Sequence, residues 1–374
     1  AESDNLGHIV FPILSVYISP IPGIDLGTFI CLIFGFCAIL DPPYKAKFNG
    51  ILGILLIYTF LSTLLLTSTS ETLYSSFSSI LNRMFRFCLI LGIMLELGYN
   101  KYFDKYYFFK CLRVMSLIVA GYAILQILFF NFTGLKLINV FGPTKQEVVF
   151  SAALNKYETT YRPPSLFLEP SSAAYYLAPF LCFALFNNFY YQKQSTQWID
   201  CAVLSIGIIT TTSGQGLIML IICWTVWFLS NLKKLKIPSI LFFVFAFVVI
   251  FIIYKDNIIF TIERFSDTGN AVEARAGGFE VISDIGFENL IFGTGFGNYI
   301  ETIYYSSFAE IIFCQGLVGL LIVTAMYLAF FIKGNLSQKT LVISSMVLMM
   351  GGGIYTASFL VLYLPVLISK LKNA

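Results

Sequence analysis

Residues 311–332 read IIFCQGLVGLLIVTAMYLAFFI, a run without a single charged side chain. A helix of roughly 20 mainly apolar residues, range about 17–25, crosses the hydrocarbon core of a bilayer. The run lies in a span expected at 305–332. Eleven further segments read the same way: 6–22, 24–40, 49–69, 80–98, 111–131, 171–190, 198–213, 215–231, 239–254, 339–352 and 354–369. Two pairs leave the count open. Each of 198–213/215–231 and 339–352/354–369 reads either as two short helices or as one long one. The short-helix reading puts tight turns at Ser213-Gly214 and Gly351-Gly352-Gly353. The expected fold class is an all-α polytopic membrane protein, 1–374 forming a single integral membrane domain of about 12 transmembrane helices.

Composition agrees. Of 374 residues, 58% are hydrophobic and 11% charged, against roughly 45–50% and about 25% in soluble domains. The mean hydropathy is +0.82. This excludes a soluble enzyme, a nucleic-acid-binding module and a disordered chain. A net charge of +3 defines no partner. The 8 cysteines lie in or beside apolar runs with no CxxC pair, as small buried hydrophobes do. His8 is the one histidine, so no histidine-based metal site can be assembled, and no metal or cofactor is expected. The start, AESDNLGH, is acidic and lacks a positive n-region, so the first apolar segment is expected to remain as a span.

Charge sets the orientation. Lys45, Lys47, Lys101, Lys105, Lys110, Lys193, Lys233, Lys234, Lys236, Lys333, Lys339, Lys370 and Lys372 share one side if twelve spans are right. The short opposite loop 70–79, SETLYSSFSS, has no Lys or Arg. The positive-inside rule then puts both termini in the cytoplasm. Two long loops, 132–170 and 255–304, lie outside and are expected to carry short helices. Loops this long are uncommon and usually functional.

Three constellations carry candidate chemistry. RPPSLFLEPSS, 162–172, directly precedes a span. Its prolines block helix until the span begins, and Ser171 or Ser172 can cap it. Arg162 and Glu169 are thus held on a stiff segment at the membrane surface. The guanidinium suits a phosphate, and the carboxylate suits a general base or a sugar hydroxyl. The bland alternative is a surface ion pair beside a helix start.

In the second, 264–305, apolar residues recur at three or four positions, predicting an amphipathic helix over 271–288 lying in the interface plane. Arg264 and Arg275 are phosphate ligands or solvated charges, and Glu273 lies beside them. GTGFGN at 293–298 follows no strand, so it is expected to be a flexible turn and not a nucleotide loop. The third constellation is Arg83 and Arg86, three apart on one face near the outer end of span 80–98. Ionisable groups inside a span are costly and mark a cavity or partner, unless both snorkel to headgroups. Glu310, one to two turns into its span, is a further acid, with Glu96 a weaker one. Tyr161, Tyr299, Tyr304 and Tyr305 cluster near the outer surface as an aromatic belt or as sugar-stacking rings.

The layout and these segments resemble the Wzy O-antigen polymerases, relatives of the O-antigen ligases in the glycosyltransferase C superfamily. ITTTSGQGLIMLIICWTVWFL (209–229) is similar to the family's T-x-S-R/G-x-G start of a span. Arg275 with Gly286 eleven positions on is similar to its Arg-x10-Gly pattern. IFGTGFGNY followed by FAEIIFCQGLVGLL is similar to its Gly-rich segment and following G-x-x-G. The histidine that the ligases carry in the last outer segment is replaced here by Tyr305 or Ser306, which favours the polymerase.

The resemblance implies a polymerase at the periplasmic face of the bacterial inner membrane. Its substrates would be undecaprenyl-diphosphate-linked oligosaccharides, joined by metal-independent, inverting glycosyl transfer. Membrane lipids and a polysaccharide chain-length regulator are the implied partners, with no nucleic acid. Arg83, Arg86, Arg162, Arg264 and Arg275 would hold the diphosphate. Glu169 is the first choice of base, with Glu273 and Glu310 in reserve. Tyr161, Tyr299, Tyr304 and Tyr305 would meet the sugars. A lipid-linked oligosaccharide flippase and an O-antigen ligase are the competing readings.

Overall fold

The computed structural model describes residues 50–69, 73–97, 104–137, 161–167, 169–187, 190–234, 271–300, 302–352, 355 and 357–368. Among them the secondary structure is helical, without strands. In chain order the helices are α1 (Gly50–Thr69), α2 (Phe77–Leu97), α3 (Lys105–Thr133), α4 (Pro170–Phe186), α5 (Gln194–Thr210) and α6 (Gly214–Asn231). After these come α7 (Ala271–Ser283), α8 (Phe287–Phe292), α9 (Ser307–Lys333), α10 (Leu336–Gly351) and α11 (Ala357–Ile368). Both doubtful pairs are two helices each, α5/α6 and α10/α11. The expected spans 6–22, 24–40 and 239–254 lie outside the described residues. A count of twelve is therefore not carried over, whereas a polytopic helical membrane protein is. Four of the described helices, α1, α3, α6 and α9, are long and apolar enough to cross a bilayer.

The burial pattern of α1 is that of a helix in lipid. Ile54, Ile57, Phe60, Leu61, Leu64 and Leu65 are exposed, while Thr59, Thr63 and Thr67 are buried. A helix in water does the reverse. The inward threonines bond to their own helix, Thr63 Oγ1 donating to the Thr59 carbonyl at 2.6 Å and Thr67 Oγ1 to that of Thr63 at 2.6 Å.

The chain divides into two compact units, Ala1–Leu112 with Val272–Ala374, and Arg113–Ala271. In the first, α9 packs on α1, α8 and α10, and α11 packs on α2. Ser306 caps α9, accepting from the Ala309 N–H. Asn335 and Gln338 form a capping box at the start of α10. The Gln338 amide also donates to the Leu367 carbonyl at 2.7 Å, tying this end to the end of α11.

The defining feature of this unit is a break in α9. Gly316 has φ 67°, ψ −173°, and the reversal releases the carbonyls of the preceding turn. In hydrocarbon each unsatisfied carbonyl would cost several kcal/mol, about as much as a lost buried hydrogen bond or more. All three find donors. Phe313 O accepts from Thr294 N (2.9 Å), Cys314 O from Gly295 N (3.0 Å) and Gln315 O from the Tyr58 hydroxyl (2.7 Å). The glycine sequences explain the fit. A Cβ on Gly316 would overlap the Ile291 carbonyl, and one on Gly293 the Cys314 carbonyl.

The GTGFGN segment is therefore no flexible turn. Residues 293–298 are buried against α9 because their backbone supplies the donors that the break requires. The helix expected over 271–288 also differs. It stops at Ser283, and α8 begins at Phe287 behind Gly286. Val281, Ile282 and Ile285 pack against Tyr305, Ala309, Phe313 and Cys314. These three side chains cover the first turns of α9, while Phe279 of the same expected face is exposed.

In the second unit, α4 packs on α5 and α6. Gly207 and Gly216 permit close approach, since a Cβ on either would press on Ala120 or Ala174. Glu169, not Ser171 or Ser172, stands at the N-cap of α4, because Pro170 takes the first helical position.

Candidate active site

The first unit gathers four of the residues singled out from the sequence. Arg83 lies in the second turn of α2, its guanidinium carbon 4.4 Å from the Tyr299 ring centroid. Its Nη1 donates to the Gly297 carbonyl (2.8 Å) and to Ser75 Oγ (3.2 Å). Tyr299 and Tyr305 are tilted rings 5.9 Å apart, and Tyr305 reaches Phe313 at 5.2 Å. Glu310, in the first turn of α9, is partly buried and within electrostatic reach of Arg83. A guanidinium braced on an aromatic face, a nearby carboxylate and tyrosines form the type of surface that holds a sugar phosphate.

Asn298 assembles this corner. Fully buried, its Oδ1 accepts from the Tyr74 and Ser75 N–H groups at 2.9 and 3.2 Å. Its Nδ2 donates to the Thr294 carbonyl at 2.9 Å. Ser75 Oγ in turn donates to the Tyr299 carbonyl at 2.8 Å. Sequence reading passed over Ser75 and Asn298. The available signal was an asparagine ending a Gly-x-Gly-x-Gly run.

The other candidates fall elsewhere. Arg86 lies one turn beyond Arg83 and is partly buried. Tyr304 is exposed, its hydroxyl 3.5 Å from the Gly351 carbonyl. Glu273 and Arg275 fall in the first half of α7. Arg264 lies outside the described residues.

The second unit brings two of the quoted segments together. Arg162 Nε donates to Thr212 Oγ1 at 3.2 Å, so RPPS meets the TTTSG turn between α5 and α6. Ser213 caps α6 by accepting from the Gly216 N–H. The RPPS chain is fixed from behind: Ser165 N donates to Gln126 Oε1 (2.8 Å) and Ser165 Oγ to the Val119 carbonyl (2.6 Å). Tyr161 packs on Phe130, 4.9 Å between ring centroids. Glu169 is exposed and accepts from the Ser171 hydroxyl at 3.1 Å.

An ion pair that the sequence reading missed also lies in this unit. Arg113 binds Asp200 through two nitrogens, Nε to Oδ2 at 2.5 Å and Nη2 to Oδ1 at 3.2 Å. The Tyr191 hydroxyl adds a bond to Oδ2 at 2.9 Å. Burial and the neighbouring carboxylate push the Tyr191 phenol well above its usual range, so it remains a donor.

A family model described as WcaD colanic acid polymerase matches residues 46–273, more than half of the chain. The chain belongs to the WcaD colanic acid polymerase family. The polymerase resemblance read from the layout is thereby borne out. No curated protein and no solved structure matches. The WcaD match includes Arg83, Arg86, Arg162, Glu169, Arg264 and Glu273, and ends before Arg275 and the broken helix α9. WcaD membership makes the chain a polymerase of polysaccharide repeat units, and so a glycosyltransferase in a helical membrane protein.

Proposed function

We propose that the chain joins undecaprenyl-diphosphate-linked repeat units at the periplasmic face of the bacterial inner membrane, by metal-independent, inverting glycosyl transfer. Both termini lie in the cytoplasm in this reading. The observation that carries it is the grouping of Arg83, Tyr299, Tyr305 and Glu310 in one unit. An acceptor hydroxyl oxygen attacks the anomeric carbon of the donor chain from the face opposite the diphosphate. The carbon–oxygen bond to the diphosphate breaks, and undecaprenyl diphosphate leaves with the electron pair.

Arg83 stabilises the charge growing on the leaving group, with Arg86 and Arg275 as further diphosphate contacts in the same unit; Arg162 and Arg264, in the other unit, are separate candidates for binding lipid-linked substrate. The hydroxyl proton passes to a carboxylate. Glu310 is preferred for this over Glu169 and Glu273, because it is partly buried and near Arg83, whereas Glu169 is exposed. Tyr299, Tyr304 and Tyr305 offer rings to the sugars. Anchoring both substrates in one membrane supplies much of the rate through proximity. A chain-length regulator is the protein partner this reaction would engage.

The test uses purified protein with a matched undecaprenyl-diphosphate repeat unit and a chelator. A ladder of lipid-linked products is expected. Loss of a general base lowers rates by roughly 10²–10⁴, so Glu310→Gln should lose the ladder by that factor. Glu169→Ala and Arg275→Ala should also weaken it while expression persists. Movement of the intact substrate across a liposome bilayer, with no ladder, would make the chain a flippase.

A further inference from the structure

We infer that Asn298 is a positioning residue that sets the Arg83 guanidinium for the reaction proposed above, and the inference rests on that reading. Arg83 Nη1 donates to two oxygens, the Gly297 carbonyl and Ser75 Oγ. Neither belongs to a regular element. Gly297 lies in the loop after α8, and Ser75 in the chain leading to α2. What holds these two irregular segments in register is the carboxamide of Asn298. Its oxygen takes both N–H groups of Tyr74 and Ser75, and its nitrogen closes on the Thr294 carbonyl. Its backbone is fixed as well, the N–H donating to Gly295 O at 3.0 Å and the carbonyl accepting from Thr294 Oγ1 at 2.9 Å.

The chain of consequence runs from Asn298 through Ser75 and Gly297 to Arg83, and from Ser75 Oγ to the carbonyl of Tyr299, whose ring braces the same guanidinium. Thr294 itself is fixed by the α9 break through Phe313 O. Asn298 thus passes the position of the broken helix, which carries Glu310, to the arginine on α2. A side chain with one acceptor serving two N–H groups and one donor in the same plane is an amide. Aspartate keeps the acceptor, loses the donor to Thr294 O and adds a charge beside Arg83.

The experiment is a double-mutant cycle on polymerisation rate in purified full-length protein, using the lipid-linked repeat unit. Asn298→Ala is expected to lower turnover about 30-fold with KM for the donor within about threefold, and Asn298→Asp by a comparable factor. Asn298→Ala in an Arg83→Lys background should cost less than about threefold further, because the guanidinium that Asn298 sets is already gone. Equal losses in both backgrounds would overturn the inference, as would a wild-type rate in Asn298→Ala. If Asn298→Ala fails to fold, Ser75→Ala carries the same cycle, with the same dependence on Arg83 expected and additivity again overturning it. Wild-type rates in Arg83→Ala would instead remove the active-site reading, an outcome separate from additivity at Asn298.

Discussion

Arg83 lies over the Tyr299 ring with its Nη1 on the Gly297 carbonyl, so the guanidinium is held by a ring, a peptide oxygen and a serine at once. A lysine keeps the charge but not the planar fork. Arg83→Lys should lower polymer synthesis about tenfold to a hundredfold, and Arg83→Ala further, in the metal-free ladder assay.

Tyr299 contributes its face more than its hydroxyl. Cation–π contacts contribute about 0.5–2 kcal/mol. Tyr299→Phe should therefore stay within about threefold of the parent rate, while Tyr299→Leu falls by up to roughly thirtyfold. Equal losses in the two variants would argue against the stacked geometry.

Gly316→Ala is expected to be among the most damaging single-carbon additions in the protein. The new methyl would meet the Ile291 carbonyl at a backbone φ of 67°. The cost should exceed about 3 kcal/mol, as for other substitutions that force strain at such a site. Detergent-solubilised melting or protease sensitivity would read it. Gly121→Ala, where a Cβ meets nothing within 4 Å, is the matched control.

Removing Arg113 leaves the Asp200 carboxylate, 2% exposed, with Tyr191 alone. Breaking a buried pair by deleting one partner costs about 3–5 kcal/mol. Arg113→Ala should be strongly destabilising by melting temperature. The double variant Arg113→Leu with Asp200→Leu should recover much of the loss, since it leaves no buried charge unpaired.

Gln126→Leu removes the amide that binds Ser165 from behind, leaving the Ser165 N–H buried. A loss of about 1–3 kcal/mol is expected for such an unsatisfied group, read as lowered thermal stability. A parallel drop in polymer synthesis would tie the seating of RPPS to Arg162.

The helical membrane architecture was legible in the sequence because hydrocarbon leaves few alternatives to helix, and long apolar runs such as 49–69 and 305–332 appear as α1 and α9. Arg83, Tyr299 and Glu310 were legible as unusual residues, but not as neighbours. Their meeting depends on a break in α9, and the run 311–332 gives no sign of it beyond its two glycines, Gly316 and Gly319. The 293–298 segment was misread because its glycines suggest freedom when taken alone. Their purpose, close approach of Gly293 to α9, Gly295 to α1 and Gly297 to Arg83, exists only across the fold. Arg113 and Asp200 left a signal that went unused: one charge of each sign inside the expected spans 111–131 and 198–213. Charges in such places call for a partner.

The broken α9 also bears on the order in which the protein can be completed during synthesis. The Gln315 carbonyl takes its proton donor from Tyr58, 257 residues earlier in the chain, and the neighbouring carbonyls take theirs from Thr294 and Gly295. The part of α9 before Gly316 therefore finds its hydrogen-bonding complement in chain made before it, on α1 and in the 294–295 segment. α1 must remain in lipid with an inward row of threonines waiting through the translation of most of the protein. Closure of the first unit is consequently a late event, and a chain truncated before α9 would lack the Gln315 amide and carbonyl that bind Thr59 and Tyr58 of α1.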